Sequence, residues 1–288
     1  MHKVMEDWPT GRIERPHPLV RRLLAPNPSP FTFTGTQTYI VGEGEVAVID
    51  PGPAFPDHVD AVLRAVDGER VAAIMCTHTH RDHSPASRPL AQATGAPIVG
   101  CAPLAIEDEG ARADEAFDFD YSPDRVLTDE ENLDGDGWSL EAVATPGHTS
   151  NHLCFALAGT GILFSGDHVM GWSTTVVSPP DGDMALYMAS LDKLLERSDL
   201  AYYPAHGPAV EDPQAHVRRL IEHRRMRERQ ILQHVEAGDS LPAMVAVIYR
   251  EIDRRLHPAA ERSVLAHLVD LEARGMVRRE GTRWTSNG

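Results

Sequence analysis

The chain has 288 residues, of which 42% are hydrophobic and 24% charged, the composition of an ordinary globular protein with room for one large and one small domain. A net charge of −16 argues against nonspecific binding of nucleic acid or membrane by the whole surface, and without an apolar run of about 18 residues no membrane span is expected. Cys76, Cys101 and Cys154 are widely and irregularly spaced and read as reduced, buried thiols of a cytoplasmic protein.

In chain order, "TQTYIVG" and "EVAVID" read as two strands joined by the turn-forming "GEGE". Asp50-Pro51-Gly52 stops the second. Val59, Val62, Leu63 and Val66 then recur at helical spacing in "DHVDAVLRAV". "RVAAIMCTH" is a continuous apolar run, the pattern of a buried strand, and it ends in "CTHTHRDHSPAS". Pro85 is expected in the first turn of a following helix, and "PIVG" as another short strand. From about Trp138 come "WSLEAVATPGH", "HLCFALAG" and "GILFSGDH", then a helix from about Met184 to Glu196 and the strand "AYYPAHG". Strands interspersed with helices predict an α/β protein with two sheets covered by helices.

A helix is expected from Pro213 to about Glu236, stopped by Gly238. The last part reads as two helices, "LPAMVAVIYREI" and "AAERSVLAHLVDLEARG", and a hairpin turning at Glu280-Gly281, a winged-helix-like arrangement. Residues 239–288 hold eight arginines against seven carboxylates, so this tail is slightly basic on a strongly acidic chain. The expected organisation is a catalytic domain over 1–212, a connecting helix over 213–238 and a small α+β domain over 239–288.

His78, His80, Asp82 and His83 crowd one loop at a strand end. Imidazole with carboxylate suits zinc, and iron or manganese less selectively. Leaving a strand, the loop can aim His78 and His80 at one ion while Asp82 and His83 reach another. His148 in "TPGHTSNH", Asp167 in "FSGDHVMG" and His206 in "PAHGP" each follow a further predicted strand. Together these residues are enough for a two-metal site.

In this order and spacing, "THTHRDH", "PGHTSNH", "FSGDH" and "PAHGP" resemble the metallo-β-lactamase-fold superfamily. The resemblance implies an αββα sandwich with metals at one edge. It also implies one ion held by His78, His80 and His148, another by Asp82, His83 and His206, and Asp167 bridging them. Asp50 matches the acidic residue that supports the ligands from behind, although a strand-stopping Asp before Pro-Gly is the plainer reading. "NPSPFTFTGTQTYIVGEGEVAVIDPG" and the tail look similar to the β-lactamase-like protein 2 subfamily, some members of which are endoribonucleases. Gln37 and Pro85 depart from that subfamily's usual Asn and Gly.

Two ions about 3.5–4 Å apart can share a water and bring its pKa toward neutrality, giving hydroxide, while polarising an electrophilic oxygen. The expected function is thus a dinuclear zinc hydrolase using a metal-bridging hydroxide on an ester-, thioester- or lactone-like bond. Asp82 is the candidate for orienting the water, and His168 for donating a proton to the leaving group, unless its side chain is directed away. The alternative is a metal-dependent endoribonuclease holding single-stranded RNA on the tail. Less favoured are a winged-helix nucleic-acid binder with a structural metal domain and an iron persulfide dioxygenase. The tail's arginines read more readily as a solvated helical face, or as a homodimer or active-site-covering surface, than as a grip on RNA. Tyr39, Trp172, Tyr202 and Tyr203 are candidates for a pocket wall or for core.

Overall fold

A computed structural model describes residues 9–105 and 117–287. The first sheet runs in sequence order: β1 (Glu14–His17), β2 (Val20–Leu24), β3 (Gln37–Glu43), β4 (Glu45–Ile49), β5 (Arg70–Cys76), β6 (Ile98–Gly100) and β7 (Arg125–Val126). It is antiparallel as far as β4 and parallel beyond, where α1 (Pro56–Ala65) and α2 (Ser87–Thr94) make the crossovers. The second sheet holds β8 (Asn132–Gly135), β9 (Trp138–Ala144), β10 (Leu153–Leu157), β11 (Ile162–Gly166) and β12 (Ala201–Pro204) in the order β12-β11-β10-β9-β8. Two longer helices follow in the chain, α3 (Met184–Leu195) and α4 (Pro213–Glu236).

Alternation along the strands builds the four layers. On β4, Ala47 and Ile49 face the second sheet's Leu140, Phe155 and Phe164, whereas Val46 and Val48 meet Val59, Val62 and Leu90 of α1 and α2. The outer face of the second sheet, with Val143, Cys154 and Leu163, packs on Tyr187 and Leu191 of α3 and Val217 of α4. This is the αββα sandwich.

The far end of α4 enters a different core. Ile231 and Val235 pack with α5 (Leu241–Ile248), α6 (His257–Ala273) and the hairpin β13 (Val277–Glu280) and β14 (Arg283–Ser286), around Val264, Leu268 and Trp284. The sandwich and the C-terminal winged-helix body therefore share one helix.

The sequence reading passes over β1 and β2, which a charged, proline-bearing stretch conceals. Pro16 is tolerated because β1 is an edge strand. Pro85 lies two residues ahead of α2 rather than in its first turn. The first tail helix stops at Ile248 before Tyr249 and Ile252 fold back onto the core. The hairpin loop is Gly281-Thr282, one residue later than expected, with Gly281 at φ 63°. No helix among the described residues is long and apolar enough to cross a membrane.

Candidate metal centre

Antiparallel pairing through β10 points β9 and β11 the same way, and β12 runs parallel to β11. Their ends therefore deliver His148, Asp167 and His206 to one edge of the second sheet. At the facing edge of the first sheet, β4 delivers Asp50 and β5 delivers the loop carrying His78 to His83. All seven expected ligands are buried.

Their donor atoms fall into two groups, His78, His80, His148 and Asp167 in one and Asp82, His83 and His206 in the other, with each group's atoms within 4.8 Å of one another. In the first, His80 Nδ1 lies 2.9 Å from His78 Nε2 and 3.1 Å from His148 Nε2. In the second, Asp82 Oδ2 lies 3.2 Å from His83 Nε2 and 3.0 Å from His206 Nε2. Asp167 stands between them: Oδ2 is 3.6 Å from both His83 and His148, and Oδ1 is 3.3 Å from His206.

The outward nitrogens explain why the inward ones converge. His148 Nδ1 donates to the Val176 carbonyl at 2.7 Å, and His206 Nδ1 to that of Gly35 at 3.2 Å. His83 Nδ1 donates to Asp50 Oδ2 at 3.1 Å. His78 Nδ1 donates to the Thr77 hydroxyl at 3.0 Å, which in turn donates to Asp50. Each of these bonds directs the opposite ring nitrogen inward, the usual preparation of a histidine for a metal. Asp50 sits at φ 47°, a backbone region few non-glycine residues adopt, and accepts from the Thr77 N–H at 2.8 Å. It stands directly behind His83 and, through Thr77, behind His78.

Charge tells the same story. Burial, and then the neighbouring imidazoles, hold His78 and His80 far below the ordinary histidine pKa, so both stay neutral. Burial also opposes a charge on His206, but Asp167 and Asp82 outweigh it and lift the ring to about 10. His83 is raised in the same way, against its burial, by Asp82 and Asp167. Inward-facing lone pairs among buried carboxylates are a site short of positive charge. The donor set fits a pair of divalent cations, with His80 Nε2 the one imidazole nitrogen of the first group lacking an outer partner.

The site opens into a cleft whose walls combine His80, Asp82, His148, Asp167 and His206 with Pro30, Phe31, Met170, Trp172 and Val176. Trp172 is the one of the four aromatics considered in the sequence that lines this cleft, and it stacks on Phe33 at 4.8 Å. Tyr39 and Tyr202 are core, and Tyr203 packs against it. Gln37 is also buried, donating to the Gly207 carbonyl at 2.5 Å behind His206.

His168 does not face the cleft. Its ring is fully buried against Tyr187 at 4.9 Å, and burial drives its pKa down to about 3. Adjacent residues leaving a strand diverge, so Asp167 takes the inward direction and His168 the outward one. From there it has no route to a leaving group. The sequence reading also misses His152. Its Nε2 accepts from the Asp167 N–H at 3.2 Å, so its Nδ1 carries the proton and donates to the Thr145 hydroxyl at 2.8 Å. The "NH" closing "PGHTSNH" was its only signal.

Residues 31–206 match the Metallo-beta-lactamase superfamily. The chain belongs to that superfamily. Residues 240–284 match the Beta-lactamase associated winged helix domain. A beta-lactamase-like protein 2 homolog of Drosophila melanogaster is 34% identical over 276 residues, 90% of this chain and 89% of that one. An atrochrysone carboxyl ACP thioesterase of Aspergillus chevalieri is 31% identical over 266 residues, 89% of this chain and 79% of its own. In fold, a beta-lactamase domain protein from Burkholderia ambifaria superposes with a TM-score of 0.81 at 20% identity, covering 97% of this chain and 95% of that one. With its His/Asp metal site, this metallo-β-lactamase-superfamily chain is a hydrolase.

Proposed function

We propose that the chain is a dinuclear zinc thioesterase acting on an apolar or aromatic acyl group. The observation that carries this reading is the cleft wall. Phe31, Met170, Trp172 and Val176 stand beside the ligand atoms, and no Lys or Arg lines the cleft among the described residues. Away from the ligand positions the cleft offers a phosphodiester backbone no cationic side chain, whereas an acyl chain buries apolar area there. The name of the Aspergillus chevalieri relative supports a thioester over an ester or lactone.

We assign His78, His80 and His148 to one ion, Asp82, His83 and His206 to the other, and Asp167 to both. Bound there, the ions supply an activated water and a Lewis acid for the carbonyl oxygen. The chain's own residues do the rest. Asp82 lines the cleft and its carboxylate accepts a hydrogen bond from the attacking water, orienting it. Asp50 and Thr77 hold His83 and His78 in register. Phe31 and Trp172 place the acyl group and exclude bulk water. A thiolate leaves without protonation at neutral pH more readily than an alkoxide, so the reading needs no proton donor in place of His168. Three free, buried cysteines support a reducing compartment such as the cytoplasm.

Metal analysis with an activity panel tests the reading. Near two zincs per chain, with turnover of long-chain and aryl thioesters that exceeds short-chain turnover and disappears in His148→Ala, is the expected result. Cleavage of single-stranded RNA without thioester turnover would replace it with the nuclease alternative. A single iron per chain would replace it with oxygen chemistry.

A further inference from the structure

Arg224 of α4 is only 2% exposed and forms no ion pair among the described residues. A buried guanidinium without a carboxylate is costly, so what it touches is informative. Its Nη2 donates to the Thr175 carbonyl, and its guanidinium lies 5.0 Å from the centre of the Tyr187 ring.

Thr175 belongs to the segment 168–178, which leaves the metal centre after Asp167 and forms one wall of the cleft. That segment grips two ligands. The Thr175 hydroxyl donates to the Asp167 carbonyl at 2.6 Å, and the Val176 carbonyl accepts from His148 Nδ1 at 2.7 Å. Two further side chains hold it from the same side as Arg224. His216 of α4 donates from Nε2 to the Met170 carbonyl at 3.0 Å, and Arg262 of α6 donates from Nε to the Ser178 hydroxyl at 3.1 Å. Three basic residues, two of them on the shared helix and one in the winged-helix body, thus pin one backbone segment at three points.

We propose that Arg224, supported by His216 and Arg262, is a positioning residue for the first metal position. It fixes the 168–178 segment, and through Val176 and Thr175 it sets the directions of His148 and Asp167. The winged-helix body in this way acts on the metal centre without touching it. The inference rests on the assignment of His78, His80, His148 and Asp167 as ligands. Asp82 and His83 lie on the first-sheet loop and His206 is held by Gly35, so the second position, which shares only Asp167 with the first, should feel the change less.

The test uses the full chain loaded with zinc. Chelator competition is followed for wild type, Arg224→Met, which keeps bulk and loses the donor, and Arg224→Lys, which restores a donor. In Arg224→Met one of the two zincs should be released at about 10–100-fold lower chelator concentration, as for other residues that orient a ligand from behind. The other zinc, which shares only Asp167, should shift much less, and Arg224→Lys should recover most of the difference. Equal weakening of both zincs, or release identical to wild type, would overturn the proposal. If Arg224→Met does not fold, Ser178→Ala removes the Arg262 anchor instead and should weaken the same zinc by a smaller factor; no selective effect there would also overturn it. Failure of the underlying assignment looks different: wild type would bind fewer than two zincs and His148→Ala would leave that number unchanged.

Discussion

The two walls of the metal centre are built by opposite means. The first-sheet wall takes His78, His80, Asp82 and His83 from one loop, and backs two of them with a single carboxylate, Asp50. The second-sheet wall takes His148, Asp167 and His206 from three strand ends. It holds them with backbone carbonyls and with a segment pinned from outside the sandwich. A compact loop with a charged backstop can keep its geometry alone. Ligands gathered from distant points need a frame, and α4 with the winged-helix body supplies one.

The largest break in the first wall is Asp82→Ala, which removes the proposed ligand and water-orienting group. Metal affinity at the second position should fall more than about 100-fold, beyond the range for supporting residues, and thioester turnover should fall at least as far. Titration with a zinc indicator and initial rates check this. Asp50→Asn comes next. Because Asp50 stands behind His83 and, through Thr77, His78, both zincs should weaken by about 10–100-fold, unlike the unequal effect expected of Arg224→Met. Loss of only one zinc in Asp50→Asn would erase the contrast between the walls.

Gly147→Ala probes the second wall through packing. Gly147 has φ 136°, and a Cβ there would lie 2.3 Å from the Tyr187 backbone. Overpacking of this kind costs about 1–3 kcal/mol, a fall in thermal midpoint of roughly 2–12 °C for a domain of this size. Scanning calorimetry of metal-free protein reads it, and the zinc nearest His148 should weaken more than the other. The smallest effect is expected from Trp172→Ala, which thins the cleft wall and touches no ligand. KM for long-chain or aryl thioesters should rise by about 10-fold, with zinc content unchanged, because an apolar wall contributes about 1–3 kcal/mol to substrate discrimination. An equal rise for short-chain substrates would count against an acyl-binding role.

The same contrast governs what could be read in advance. A strand followed by "HTHRDH" writes the first wall into a dozen consecutive residues, so its ligands were legible as residue types at short spacing. His148, Asp167 and His206 were legible only as polar residues after strand ends, which gained meaning from one another. His168 shows the limit: beside Asp167 in sequence it was as good a candidate as any, and one step of strand alternation turns it into the core. Gln37 and Tyr39 likewise became supports behind the site.

By itself the sequence determined the alternation of strands and helices, the strand ends that bear ligand chemistry, and the change from a strongly acidic chain to a slightly basic tail. Those are local properties, set by hydrophobic period and by residue type. Only the tertiary structure decided which strand ends meet, that Trp172 faces the cleft while Tyr202 does not, and that Arg224, some fifty residues along the chain from Thr175, holds its carbonyl. These depend on which faces the two sheets bury against each other, and that is settled by packing across the whole sandwich.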